Sequence, residues 1–267
     1  MNLFKQIKAL EHVSRDGPNK VFTMYLNTDP SEPENQSGGW KIHLKNGLRN
    51  FESYLREANN TEELENFKRV KRKVKKYVED HELNLHKGVI VFADATETVW
   101  FAQRVRMQLT TEFYWEDTPR LQQLKELCNA YPRTGIVLVQ TNQISVVETY
   151  LQEVTHTYYY ELDIDTDEWR QRTGPHKIDA SMGSGGRNVQ QEQFKARYEA
   201  NKQRWYKSIA PKLDKLAKDN GWERLYIAGE PDDAIELKQQ LNKPVDDVIQ
   251  KNMLHHEETK VVEEVAG

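Results

Sequence analysis

One cysteine, Cys128, stands in 267 residues. A single thiol makes neither an internal disulfide nor a thiolate zinc site, so a stapled scaffold and a zinc ribbon are both excluded, and the usage fits a reducing, cytoplasmic setting. Long apolar runs are missing as well. Stretches such as Ile136-Val137-Leu138-Val139 fall far short of the roughly 20 residues that a bilayer-crossing helix needs, so no membrane partner is expected. Near the start, Lys5, Gln6, Lys8 and Glu11 interrupt any signal-type apolar core, while Leu3, Phe4, Ile7, Leu10 and Val13 recur at helical spacing and predict a short amphipathic helix. Charge of one sign is not in excess: 38 Lys and Arg face 42 Asp and Glu, a net charge of −4. Binding to a polyanion therefore has to come from local patches. Phosphate-loop, nucleophile-elbow and dinucleotide fingerprints are absent, and no cofactor is expected.

What is present reads as an α/β chain. Charged residues make up 30% and hydrophobic residues 37% of it, the mean hydropathy is −0.86, and the 10% that are aromatic can fill a core. Lys20 to Thr28 predicts a strand closed by Asp29-Pro30, with a loop over 29–39. Leu44, Leu48, Phe51 and Leu55 mark one face of a helix from Trp40 to about Ala58. Phe67, Val70, Val74 and Tyr77 do the same for a helix from about Glu62 to Asp80. Strands are expected over Gly88–Ala93, Thr98–Arg104 and Arg106–Glu112, then a helix over Pro119–Ala130 that Tyr131-Pro132 breaks. Residues 1–131 thus form a first α/β domain.

The second half is expected to hold three antiparallel strands, Gly135–Gln140, Ile144–Leu151 and Glu153–Leu162. An irregular stretch follows to about Asn188, then a long helix from about Val189 to Asn220 that Gly221 stops. A strand at Leu225–Ala228, a helix at Asp232–Leu241 and a short strand at Val245–Gln250 complete the order of a ribonuclease H-like domain over 132–252. Metal-dependent nuclease chemistry does not fit it, because the first strand ends in Gln140 where a metal-binding acid belongs. His255-His256-Glu257-Glu258 lacks a partner motif, so no metal site is expected there and 253–267 reads as a solvated charged tail.

The irregular stretch carries the chemistry. A structureless connection of about 25 residues inside a compact domain is usually functional or disordered. Gly183, Gly185 and Gly186 free the backbone for close approach to a ligand. From 170 to 207 the cations are Arg170, Arg172, Lys177, Arg187, Lys195, Arg197, Lys202, Arg204 and Lys207, against Asp179, Glu192 and Glu199. That local surplus, in a chain of net negative charge, suits binding to RNA phosphates. Phe194, Tyr198, Trp205 and Tyr206 fall at helical spacing and are expected to face the core. A second basic cluster runs from Lys68 to Lys76; it reads either as a solvated helix face or as an additional RNA contact.

This order, with Gly185-Gly186 in a long basic loop ahead of a long helix, resembles domain two of archaeo-eukaryotic peptide release factors and of Pelota. It is most similar to the bacterial, Vms-like members, and the opening YLNTDP with its following KIHLKNGL helix resembles their N-terminal domain. The resemblance spans about residues 18–250. It implies a glycine-rich loop that enters the peptidyl-transferase centre of the large ribosomal subunit, with rRNA and peptidyl-tRNA as partners. A glutamine after the glycine pair would position water on the ester bond, a task that needs placement more than acid–base power.

Here Arg187 stands where the family has that glutamine, and Gln190 and Gln191 follow three and four positions later. The candidate catalytic set is therefore Gly185, Gly186, Arg187, Gln190 and Gln191, with Arg187 alternatively gripping phosphate. No Asn-Ile-Lys-Ser motif occurs and little chain follows residue 250, so neither stop-codon reading nor a GTPase partner is expected. Two functions stand: a peptidyl-tRNA hydrolase that rescues stalled ribosomes, and a non-catalytic hibernation or surveillance factor occupying the A site.

Overall fold

The structure is a computed structural model that describes residues 3–163, 166–175 and 187–267, without the side chains of 187–195. It is a mixed α/β protein with two sheets, and it divides into two compact units, Met1–Glu126 and Leu127–Gly267.

The first unit contains α1 (Leu3–Leu10), β1 (Val21–Asn27), α2 (Pro33–Gln36), α3 (Gly39–Glu57), α4 (Thr61–Asp80), β2 (Gly88–Asp94), β3 (Trp100–Val105) and β4 (Glu112–Glu116). α5 (Gln122–Ala130) spans the division. The four strands pair antiparallel in the order β3-β2-β1-β4. Strand alternation sends Phe22, Met24, Leu26, Val89 and Val91 to one face, where Leu44, Leu48, Leu55, Phe67, Val70 and Val74 of α3 and α4 meet them. The helix periodicity seen in the sequence is this buried face. On the opposite face Tyr25 packs edge-on to Phe92, and its hydroxyl donates to the Arg120 carbonyl at 2.7 Å. Two expectations change. Arg106–Glu112 is not a strand, and Glu112–Glu116 is, paired with β1. The expected loop over 29–39 holds the short α2.

The second unit has a six-stranded sheet. Its strands are β5 (Thr134–Gln140), β6 (Gln143–Tyr150), β7 (Glu153–Asp163), β8 (Glu168–Arg172), β9 (Arg224–Gly229) and β10 (Asp247–Ile249), in the order β10-β9-β5-β6-β7-β8. β9 runs parallel to both β5 and β10, and the remaining pairs are antiparallel. The strands expected from the sequence take the ribonuclease H-like order. β8 was hidden in the stretch read as irregular.

α6 (Arg187–Asp219) and α7 (Pro231–Gln240) cover one face of this sheet, where Val137, Val139, Ile144 and Val146 meet Tyr198, Trp205, Tyr206, Ile209 and Leu213. α8 (Glu258–Val265) lies against the other. There Ile136, Leu138 and Val147 meet Met253, Leu254, Val261 and Val262, all four buried. Residues 253–267 are thus not a solvated tail. Val261 and Val262 supply an apolar face that the flanking Glu and His residues mask in the sequence. Gly135 belongs to this unit's packing: an added Cβ would meet the Trp222 ring.

Candidate functional site

The candidate loop leaves β8 at Arg172 and returns at Arg187, the first residue of α6. Gly185, Gly186 and Lys177 lie outside the described residues, as do the side chains of Arg187, Gln190, Gln191, Phe194 and Lys195. What the structure describes is the base on which α6 stands.

α6 has 33 residues, about 50 Å at 1.5 Å per residue. Tyr198 is its first described side chain in the core, and at that rise Arg187 sits roughly 16 Å further along the axis. The segment around Tyr198 is fastened by two carboxylates at one end of the sheet. Asp233, in the first turn of α7, receives the Tyr198 hydroxyl at 2.6 Å and the Thr141 amide at 2.9 Å, and its Oδ1 lies 3.0 Å from the Lys202 ammonium. The Tyr206 hydroxyl lies 2.8 Å from that of Tyr198 and donates to the Thr141 carbonyl at 3.1 Å. Asp233 therefore joins α6, α7 and the β5–β6 turn. Burial pushes both tyrosine hydroxyls well above their ordinary value, with the other phenol adding at Tyr198 and Asp233 adding at Tyr206. Both stay protonated and act as hydrogen-bonding groups, not bases.

Asp167, in the turn between β7 and β8, is the second anchor. It accepts from Arg197 at 3.3 Å, Arg204 at 2.7 Å and the Trp205 indole at 3.0 Å. The Trp169 indole of β8 donates to the Trp205 carbonyl at 2.9 Å, and Lys212 donates to the Trp169 carbonyl at 3.1 Å. The missed strand is thus part of the mount for α6, and Trp169 is the one residue it buries.

The candidate RNA-binding cations have carboxylate neighbours. Arg170 pairs with Asp163 at 2.7 Å, Arg172 with Glu161, and Arg197 and Arg204 share Asp167. Arg170 and Arg204 keep 63% and 62% of their side-chain surface exposed, so they can still reach a phosphate. Lys202 differs. Its side chain is 11% exposed beside an Asp233 that is 8% exposed, which makes it an internal ion and not an RNA ligand. Sequence spacing placed it on the basic face because a buried lysine with a distant partner looks like any other lysine. Tyr198, Trp205 and Tyr206 are buried, as their spacing predicts.

At the far end of α6, Glu148 of β6 accepts from the Trp222 indole at 2.8 Å and from Asn220 at 2.5 Å. Burial raises its carboxyl above the ordinary range against the opposing pull of those bonds. Among the described residues no cluster of three His, Cys, Asp or Glu could hold a metal ion, and no described helix is long and apolar enough to cross a membrane.

Comparison with known proteins gives three findings. The model of bacterial archaeo-eukaryotic release factor family 5 matches residues 132–267. The "Uncharacterized protein YocB" of Bacillus subtilis (strain 168) is 32% identical over 257 residues, covering 96% of this chain and 95% of its own length. Among solved structures, an archaeal translation termination factor, aRF1, aligns at 13% identity and a TM-score of 0.34 over 98% of this chain and 72% of that one. An archaeal protein aligns at 13% identity and a TM-score of 0.28, over 99% and 70%.

Proposed function

This chain belongs to bacterial archaeo-eukaryotic release factor family 5, its role is translation-related and release-factor-like, and from that premise we propose that it rescues stalled ribosomes in the cytoplasm by hydrolysing peptidyl-tRNA on the large subunit. The observation that carries the reading is the mount of α6. A helix held by Asp233 and Asp167 at its first core turn, and continuing about 16 Å beyond it, anchors the Gly183–Gln191 segment to the sheet. Fixing a reacting group in this way removes several kcal/mol of positioning cost from an ester attack. In this reading the backbone at Gly185-Gly186 passes close to RNA, Gln190 or Gln191 orients the water, and Arg187 with Lys177 and Lys195 holds phosphate. Arg170, Arg172, Arg197 and Arg204 bind phosphate by exchanging their carboxylate partners for it.

One feature of the chain favours a second reading. Arg187 in the family's glutamine position suits a phosphate grip, and hence a non-catalytic occupant of the A site. Both readings predict co-sedimentation with large subunits at low salt. Release separates them: isolated large subunits carrying peptidyl-tRNA should lose their peptide to the wild-type protein and keep it with the Gly185→Ala/Gly186→Ala variant. Release that survives this variant, together with Arg187→Ala and Gln190→Ala made separately, would overturn the loop assignment. Binding without release in the wild type would select the second reading.

A further inference from the structure

The geometry points to a docking groove for an acidic amphipathic helix of a protein partner, lying between α3 and α4 of the first unit. The groove encloses about 500 Å³. Its floor is apolar: Leu44, Leu48 and Val78 are buried at the back, and Trp40 is half-buried beside them. Trp40, Leu44 and Leu48 recur at four-residue steps, so they form one strip along α3. One position over, Lys41, Lys45 and Arg49 repeat the same step and make a cationic rail parallel to the apolar strip. Lys71 and Lys75 make a shorter rail on α4, and only Glu79 and Glu82 among the lining residues are acidic.

Those two acids are spoken for by Lys75 and Lys41, and Lys71 pairs with Glu52 at 2.5 Å. Lys45 and Arg49 are exposed and have no ion pair among the described residues. The groove therefore presents unmatched positive charge in a chain whose net charge is −4.

An amphipathic helix meets both features. Its apolar stripe lies along the Trp40 strip of α3. Its carboxylates, spaced every four residues, match the rail on α3, whose ends lie about 12 Å apart. RNA would satisfy the lysines and Arg49 but would leave the apolar strip at Trp40 against a phosphate backbone. A protein partner is the better fit for that reason.

The test uses the full chain and synthetic probes. One peptide of roughly 18 residues carries a leucine stripe flanked by Glu at four-residue steps, a second has Gln in place of each Glu, and a third probe is a single-stranded oligouridine of equal charge. The acidic peptide should bind, the Gln peptide should bind at least about tenfold more weakly, and the oligouridine should bind more weakly than the acidic peptide. Lys45→Glu/Arg49→Glu should weaken the acidic peptide by about tenfold or more, with unchanged circular dichroism because both positions are exposed. Equal binding of the two peptides, failure of the acidic peptide to bind, or indifference to the double variant overturns the proposal. Tighter binding of oligouridine than of the acidic peptide also overturns it and makes the surface a nucleic-acid contact. The peptide comparison needs only the wild-type protein, so it stands even if a variant misfolds.

Discussion

At the scale of single residues, the second unit depends on charges it has buried. Asp233 and Lys202 are both nearly inaccessible and lie 3.0 Å apart. Taking one charge away strands the other, which typically costs about 3–5 kcal/mol, whereas removing both together costs far less. Asp233→Asn should therefore lower stability by roughly 3 kcal/mol, and adding Lys202→Met should recover a good part of it; denaturant midpoints of the two variants check this. A loss no larger than that of an exposed substitution would mean the pair is solvated.

Two further carboxylates give pH dependences of opposite sign. Burial pushes Asp94 up, but hydrogen bonds from Thr98, the Val99 amide, Arg15 and Thr96 outweigh it and hold the carboxyl below its ordinary 3.8. The stability it adds is present above that ordinary value and is lost as pH falls through the folded one. Glu148 is raised from 4.5, chiefly by burial, so its contribution is complete below that value and is lost as pH rises through the folded one. As pH falls from about 5 to 2 the wild-type advantage over Asp94→Asn should shrink, and as pH rises from about 4 to 7 that over Glu148→Gln should shrink.

At the scale of elements, the mount of α6 makes its own prediction. Asp167 holds Arg197, Arg204 and the Trp205 indole. Exposed ion pairs contribute little to stability, and the indole bond about 1 kcal/mol, so Asp167→Ala should destabilise only by that amount. It also takes from Arg197 and Arg204 the carboxylate they share. If these cations meet RNA phosphates, the variant should bind large subunits more tightly than wild type at low salt, with a steeper loss of affinity as salt is raised. A flat response in co-sedimentation would remove Arg197 and Arg204 from the interface.

The same elements show how far the sequence could be read. α3, α4 and the strands Thr134–Gln140 and Gln143–Tyr150 were legible because one-face burial writes a period into the chain: Leu44 and Leu48 at four-residue steps, Ile136 to Val139 unbroken where both sheet faces are covered. β8 was not legible, because as an edge strand it buries only Trp169 and leaves Glu168, Arg170, Gln171 and Arg172 in water. The Asp233–Lys202 pair was equally hidden. It joins residues 31 positions apart, and no local pattern distinguishes a buried ion from a solvated one. The candidate site was legible as composition, a glycine cluster within a run of cations. Its mount was not, since it is built from turns at Thr141 and Asp167 that only the folded sheet brings to α6.

At the scale of the whole molecule, the final 15 residues show what a charged composition conceals. Met253, Leu254, Val261 and Val262 are buried against Ile136, Leu138 and Val147 on the sheet face opposite α6. Fully burying one such side chain is worth about 1.5–3 kcal/mol. Four of them amount to several kcal/mol, comparable with the whole stability of a typical domain. Deleting residues 253–267 would also expose Ile136, Leu138 and Val147. The truncated chain should therefore lose the cooperative folding of its second unit instead of behaving as a trimmed protein. The tryptophans separate the units for this measurement: Trp169, Trp205 and Trp222 report on the second, and Trp40, Trp100 and Trp115 on the first. Near-ultraviolet circular dichroism of variants that keep only one set should show the signal of the second unit collapsing on truncation. A second unit that keeps its signal and its denaturation midpoint would mean that α8 is dispensable and that the opposite face of the sheet tolerates solvent.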